Sequence, residues 1–445
     1  MAKRKGQLKL GAFLYFSGHH VAAWRHPDAT AGDELSHYVD FARRAEAAKF
    51  DAVFFADSVA VRLKNIEAAS RKAHNGVSLF EPLTLLAALS AVTSRIGLVA
   101  TASTSFSEPY NIARQFASID HLSGGRAGWN LVTSSDTDAA LNFGHSAGIS
   151  HADRYERAEE FADVVLGLWD SWAPDAFLRD RESGRYFDPA KVRELHHVGR
   201  HFRVRGPLNT PRSPQGRPIL VQAGSSEPGK TLAARTAEVV FTAHQTRENA
   251  VAFYADLKRR LAAFGRSAED LKIMPGLFPV VAPTAAEARE KFERLQALVQ
   301  PVVGVDLLSG LVGGLDLSGL PVDGPLPPLP ETESAKSRQS LMLELARREN
   351  LTIRDLYLRI AGARGHWQVV GTPQDIADQM EAWYDDYGAD GFNIMAPITP
   401  TGLTDFVELV LPELRRRGLF RHDYEGRTLR ENLGLRRPAD GFARA

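Results

Sequence analysis

The segment from Ile96 to Thr133 restricts the fold of this chain more than any other. It reads as an apolar strand (Ile96–Ser103), a helix (Pro109–Leu122), a Ser123-Gly124-Gly125 turn and a second apolar strand (Ala127–Thr133). Two strands joined through a helix form a β-α-β unit. Short polar residues stand where the strands end: Ser103 and Thr104 on the first, Asn130 and Thr133 on the second. In a parallel barrel or open sheet, that end binds ligands. Hydroxyls and amides suit a neutral heteroaromatic ring better than a metal ion.

The alternation continues along the chain. Strands are expected at Lys9–Leu14, Ala52–Asp57, Ile96–Ser103, Ala127–Thr133, Pro218–Ala223, Val239–Thr242, Ile273–Val281 and Gly391–Ala396. Most are short and rich in Val, Ile, Phe or Leu, as strands covered on both faces are. Helical patterns at Asp33–Lys49, Glu81–Ser94, Glu227–Ala237, Glu248–Phe264 and Thr284–Val299 separate most of the others. This order predicts an α/β fold, a (β/α)8 TIM barrel, spanning 1–445 as a single domain. A doubly wound open sheet is the alternative.

Two insertions interrupt the repeat, at 134–217 and 301–363. The first holds an amphipathic helix, Asp153–Trp172, and then a polar stretch. The first half of the second is punctuated by Gly304, Gly310, Gly313, Gly314 and the prolines of 321–330, which argues against a long helix. Its second half reads as helices Lys336–Arg348 and Ile353–Ile360. So long an insertion before the last strand is expected to act as a lid.

Composition narrows the function. The 54 basic and 54 acidic residues cancel, and the basic triplets Lys3-Arg4-Lys5 and Arg415-Arg416-Arg417 are too short for a nucleic-acid face. The chain has no cysteine, which removes disulfides, thiolate metal sites and a cysteine nucleophile. No apolar run is long enough for a membrane span, and Leu8–Phe16 is too short for a signal-peptide core. A cytoplasmic location is the expectation. No HExxH spacing or other convergent ligand set predicts a metal. Gly124-Gly-Arg-Ala-Gly128 precedes a strand and is therefore no dinucleotide fingerprint.

The candidate site residues cluster at strand ends. Asp57 closes the second strand, and with His20 and Asn130 it is a candidate catalytic group. Ser103, Thr104, Asn130 and Thr133 are candidates for a ring site. Gln222-Ala-Gly-Ser-Ser-Glu-Pro-Gly-Lys230 is a strand, a turn and a helix start, with Ser225 or Ser226 as N-cap; exposed helix N–H groups there suit a phosphate. His19, His20, Trp24 and Arg25 follow the first strand and are candidates for the substrate side; the sequence does not distinguish the two histidines. Arg25 and Arg62 suit an anionic substituent. His151 lies one helical turn before Tyr155, and His366 lies where the second insertion returns to the barrel. His121 is read as a helix-end residue.

Several blocks resemble one family in one order: His20-Val-Ala-Ala-Trp-Arg-His-Pro27, Phe54-Phe-Ala-Asp-Ser58, Asn142-Phe-Gly144, Asp153-Arg-Tyr-Glu156, Arg212-Ser-Pro-Gln-Gly216, Gln222-Ala-Gly-Ser-Ser226, Val370-Gly-Thr-Pro373 and Ala389-Asp-Gly-Phe-Asn393. The chain resembles the bacterial luciferase-like flavin-dependent monooxygenases. The nearest group holds nitrilotriacetate, dibenzothiophene-sulfone and long-chain alkane monooxygenases. The resemblance implies the same barrel and reduced FMN as cofactor, supplied by a separate NAD(P)H:flavin reductase. It implies dioxygen and a small organic substrate, with C–S or C–N cleavage, and a homodimer or homotetramer. It places Asp57 beside the flavin ring and puts Tyr155 and the serine after the Ala-Gly step on the phosphate. A deazaflavin-dependent oxidoreductase, a non-catalytic flavin-binding protein and a phosphosugar enzyme remain as alternatives.

Overall fold

The structure, a computed structural model, describes residues 3–73, 77–146, 148–329 and 336–439. Strands β1 (Lys9–Leu14), β2 (Ala52–Phe55), β3 (Gly97–Ser103), β4 (Ala127–Val132), β5 (Ile219–Gln222), β6 (Val239–Thr242), β7 (Lys272–Val281) and β9 (Gly391–Met395) close into a parallel barrel. The ring closes where Asn393 and Ile394 of β9 pair with β7, and where β9 pairs with β1 from Lys9 to Phe13. All eight expected strands are present, each end within two residues of its expected place.

The ninth strand, β8 (Trp367–Gly371), was not expected. It pairs with Leu277–Val281, the part of β7 that runs past the barrel. Its burial alternates with a period of two, as a strand with one covered face requires.

The strands bury both faces, which is why they read as apolar runs. Outside, Trp129 packs among Phe116, Phe161 and Trp169 of the surrounding helices. Inside, Phe13, Phe54 and Phe241 meet with ring centroids 4.8–5.5 Å apart. Below them, Leu429 and Leu433 of the C-terminal segment plug the barrel. Gly97 makes room for that plug, since a Cβ there would lie 2.4 Å from Leu429 Cδ1. A buried ion pair, Arg430 Nη1 to Glu238 Oε1 at 2.6 Å, holds the plug in place. Burial pushes the Glu238 carboxyl up, but Arg430 and Arg217 outweigh it and hold the group below its usual range. Leu429 and Leu433 thus fill the lower end of the barrel, opposite the C-terminal ends of the strands.

The helix of the first insertion runs His151–Trp169 and packs against helices Pro109–Ser123 and Glu227–Thr236. Ser150 caps it by accepting the Asp153 N–H. Further on, His197–Val198 and Arg203–Val204 form a short antiparallel hairpin. No helix among the described residues is long and apolar enough to cross a membrane.

The second insertion corrects one expectation. Pro301–Leu311 is a helix despite Gly304 and Gly310. Pro301 stands in the first turn, where its missing N–H costs nothing. Gly304 faces the Tyr357 ring so closely that a Cβ would lie 2.3 Å from Cδ2. The glycine permits close helix packing rather than breaking the helix. Helices Lys336–Glu349 and Ile353–Ala361 complete the insertion. Val303, Leu308, Val312, Leu345, Ile353 and Tyr357 form a separate apolar core with Val21 and Ala22 of the β1 loop. The insertion is a packed roof over the barrel mouth.

Candidate active site

The aromatic floor Phe13–Phe54–Phe241 ends the barrel interior, and a cavity of about 570 Å³ lies above it. Tyr15, Phe241, His366 and Met395 line it from the barrel, and Asp306, Leu307 and Leu311 from the roof. Arg62, Lys72 and Arg364 complete its wall. A smaller recess of about 160 Å³ is lined by Asp57, Ser58, Tyr38 and Phe80, and it shares Tyr15, Arg62 and Arg364 with the cavity. Burial pushes the Asp57 carboxyl up against the opposing effect of the Ser58 N–H, and Glu81 adds to the rise.

Polar groups from β3 and β4 form a chain across the strands. Thr101 Oγ1 donates to the Phe55 carbonyl at 2.9 Å and accepts from Asn130 Nδ2 at 2.8 Å. Asn130 Oδ1 is buried and has no hydrogen-bond partner. An orphaned buried acceptor is costly, so it suits a ligand N–H. Ser103 Oγ accepts the Ser105 N–H at 3.1 Å, while the Thr104 hydroxyl donates to the Val132 carbonyl at 3.2 Å. Thr133 is half-buried just beyond β4.

The turn after β5 forms a second polar cluster. Ser226 caps helix Glu227–Thr236 and accepts the Gly229 N–H at 3.3 Å. Its hydroxyl donates to the Tyr155 hydroxyl at 3.2 Å. A Cβ on Gly229 would lie 2.9 Å from that hydroxyl oxygen, and one on Gly224 would lie 3.1 Å from Gly229 Cα. A side chain at either place would push these groups apart. Ser225 is exposed in the turn, and the His151 ring stands 4.8 Å from that of Tyr155. Next to Tyr155, Arg154 is buried with its Nε unpartnered. Burial draws its pKa down against the opposing effect of Tyr155. Hydroxyls, helix N–H groups and a buried guanidinium fit a phosphate.

The structure separates the two adjacent histidines. His19 stands behind the cavity wall: its Nε2 bonds the Phe13 carbonyl at 2.8 Å, and its Nδ1 meets Arg364 Nη2 at 3.2 Å. His20 points into the packing beneath the roof. Its Nδ1 accepts the Ala22 N–H at 3.2 Å, so its Nε2 donates to Gln296 Oε1 at 2.9 Å. Burial holds its pKa down at about 4. Both ring nitrogens of His20, expected to meet a substrate or oxygen atom, are bonded within the fold.

Trp24 and Arg25 are also drawn away from the mouth. Trp24 is exposed and donates to the Arg71 carbonyl at 3.0 Å, and Arg25 donates to the Leu298 carbonyl. Arg62 stays at the entrance, its Nε 3.0 Å from Asp136 Oδ2. His366 lies in the cavity wall, stacked 5.0 Å from Phe241. His121 bonds the Pro211 carbonyl at 3.0 Å, away from the site.

The sequence carries a decisive family match: residues 12–391 fit the model of the luciferase-like monooxygenases. This chain belongs to that family. It is 52% identical to N-acetyl-S-(2-succino)cysteine monooxygenase of Bacillus subtilis (strain 168), with both chains fully covered. It is 51% identical to nitrilotriacetate monooxygenase component A of Aminobacter aminovorans, over 98% of each chain. A solved structure of riboflavin lyase with modified FMN and riboflavin superposes with a TM-score of 0.85 at 35% identity, covering 97% of each chain.

Reading the sequence of this luciferase-like monooxygenase missed several residues at the mouth. Tyr15 lies just beyond β1, two residues after Phe13, and shares its inward direction as period two requires. Arg154 sits inside the Asp153-Arg-Tyr-Glu156 block, where the family resemblance points to Tyr155 alone. Arg364, like His366, comes from the return of the insertion, and no local pattern aims it at β1. The Lys72–Asp306 ion pair joins two distant segments across the cavity and leaves no local trace in the sequence.

Proposed function

We propose that the chain is the oxygenase component of a two-component monooxygenase that uses reduced FMN. The observation that carries this reading is the cluster of Tyr155, Ser226 and Gly229 at a helix start, with buried Arg154 beside it. Tyr155 and Ser226 would hold the phosphate, and Arg154 would balance its charge. Asn130 Oδ1 would accept an N–H of the ring, with Asp57 and Thr133 beside it. The riboflavin lyase structure contains a modified FMN on a closely similar chain, which supports the choice of cofactor.

Reduced FMN, when bound, supplies the two electrons that split dioxygen between product and water. The balance is substrate plus dioxygen plus reduced FMN, giving oxygenated product, water and oxidised FMN. The residues position the ring, align the substrate and exclude bulk water. The aromatic floor and the packed roof serve that exclusion. The substrate is a small organic compound oxidised beside a heteroatom, with cleavage of a C–S or C–N bond. N-acetyl-S-(2-succino)cysteine contains a C–S bond and nitrilotriacetate contains C–N bonds, and relatives named for them are half-identical to this chain. A separate NAD(P)H:flavin reductase is the partner, as the name "component A" of one relative suggests. A homodimer or homotetramer is the assembly.

The test is reduced-FMN turnover against thioethers, sulfones, sulfonates and aminopolycarboxylates, read by mass spectrometry. Oxygenated product from one class supports the reading. Equal turnover with reduced deazaflavin in place of reduced FMN would overturn it.

A further inference from the structure

A second cavity, of about 710 Å³, lies at the opposite pole of the barrel, beside Leu433 and Gly434 of the plug. Lys9 opens β1 and Lys272 opens β7, so this cavity stands at the N-terminal ends of the strands, away from the mouth. Six cations line it: Lys3, Arg4, Lys5, Lys9, Lys258 and Lys272. The carboxylates in its wall are Glu269 and Asp390.

Three of the cations serve the fold. Lys3 pairs with Glu381, which is not part of the wall. Arg4 Nη2 donates to Asp390 Oδ1 at 2.5 Å and to the Tyr254 hydroxyl at 3.1 Å, while its Nη1 donates to the Tyr384 and Ala389 carbonyls. Lys258 Nζ lies 3.1 Å from Asp390 Oδ2 and donates to the Ala268 and Leu271 carbonyls. A role in stability is usual for residues at this end of a barrel, and it accounts for these three.

It does not account for Lys5, Lys9 and Lys272. Among the described residues, Lys5 and Lys9 have no carboxylate within ion-pair distance, and Lys9 Nζ has one hydrogen-bond partner, the Asn432 carbonyl at 2.7 Å. An ammonium carries three hydrogens, so two remain for a ligand. Lys272 Nζ lies 2.9 Å from Glu269 Oε2, but that carboxylate is 80% exposed, and such pairs contribute little. Burial pushes the Lys9 ammonium below its ordinary range; Asp51 opposes this, and Arg421 and Lys272 add to it. Asp51 is itself bound to Arg421. Half-buried Lys9 and buried Lys272 are thus like charges that repel, and an anion between them removes that cost.

We propose that this pole of the barrel holds a second ligand site, for a small molecule bearing a diphosphate group gripped by Lys5, Lys9 and Lys272. Ammonium groups act as point charges and suit phosphate oxygens. Three of them, from the N-terminal segment, β1 and β7, match the spread of charge on a diphosphate better than that on a single phosphate. The Tyr387 ring lines the same cavity and is 54% exposed, so a base attached to the diphosphate has a surface to stack on.

The experiment is calorimetric titration of the full chain with inorganic pyrophosphate, ADP and orthophosphate. The expected result is saturable binding of pyrophosphate and ADP, with orthophosphate weaker by about tenfold or more. Tighter binding of ADP than of pyrophosphate, abolished by Tyr387→Ala, identifies a nucleotide as the source of the diphosphate; equal binding identifies the free anion. Lys5→Glu and Lys9→Gln should each weaken pyrophosphate by about tenfold or more. Lys5 is exposed, so its variant reports on the site even where Lys9→Gln disturbs β1. Pyrophosphate should also raise the melting temperature of the unaltered chain, and Lys5→Glu should remove that rise. The double variant Ser226→Ala with Tyr155→Phe, at the far end of the barrel, should bind pyrophosphate within about twofold of the unaltered chain. Absence of pyrophosphate binding, orthophosphate binding as tight, or binding unchanged in Lys5→Glu overturns the proposal. Loss of binding in the Ser226 and Tyr155 variant also overturns it, because the ligand would then sit at the mouth. The site is remote from the mouth, so the outcome does not depend on the flavin reading above.

Discussion

The Ser226 hydroxyl donates to the Tyr155 hydroxyl across 3.2 Å, joining residues 71 apart in sequence. Ser226 is the N-cap of helix Glu227–Thr236 and Tyr155 stands in the second turn of helix His151–Trp169, so the bond ties the first insertion to the turn after β5. The pair makes the first prediction. Ser226→Ala with Tyr155→Phe should weaken FMN binding by about one decade or more and leave riboflavin nearly unchanged. Fluorescence titration with both flavins checks it. Equal losses for the two would remove the phosphate assignment.

Isolated protein supplied with oxidised FMN should not oxidise NADH. The glycine-rich Gly124-Gly-Arg-Ala-Gly128 leads into β4 and not into a helix, so it offers no helix N-terminus to a pyrophosphate. Oxygen consumption should begin only when a flavin reductase or photoreduced FMN is added. Sustained loss of NADH absorbance without either would contradict the two-component reading.

The roof should keep water from the reacting centre. Lys72 and Asp306 close an ion pair between the roof helix Pro301–Leu311 and the loop beneath it, with their side chains only 14% and 24% exposed. Asp306→Ala should leave the barrel folded and raise hydrogen peroxide release per reduced FMN consumed by a few-fold. A peroxide assay that finds coupling unchanged would show that the roof serves another purpose.

Buried histidines set an acid limit on stability. His20 has its pKa held at about 4 by burial against an ordinary value of 6.5. Between those values the unfolded chain binds a proton that the folded chain refuses, so stability falls as pH drops from about 6.5 to about 4. The full effect for this group is about 3 kcal/mol. His244 acts in the same direction, with its pKa also about 4. Urea midpoints measured across that range should decline, and His20→Asn should flatten the decline while lowering the midpoint at neutral pH. An unchanged slope in the variant would show that His20 does not carry the effect.

The barrel was legible because its strands bury both faces and its helices alternate with them, a pattern written into consecutive residues. β8 escaped notice because Trp367–Gly371 is short, directly abuts a helix and extends β7 outside the ring. Gly304 misled because local propensity says nothing about the Tyr357 ring it packs against. That Ser103, Asn130 and Asp57 stand in or just beyond the C-terminal halves of their strands was legible from the alternation alone. His19 and His20 were not separable, since their directions depend on Arg364 and Gln296, both hundreds of residues away. What escaped the sequence is mostly what the roof contributes, because contacts between an insertion and a barrel have no local period.

The central claim is that this chain uses reduced FMN and dioxygen to oxygenate a small organic substrate. The most direct test is turnover under ¹⁸O₂ with photoreduced FMN and a panel of carboxylated thioethers and tertiary amines, followed by mass spectrometry of the products. The account predicts one ¹⁸O atom incorporated per substrate molecule at the moment of attack, with one reduced FMN oxidised for each. Product oxygen drawn from water instead, or reduced FMN consumed to hydrogen peroxide with no product from any member of the panel, would contradict it.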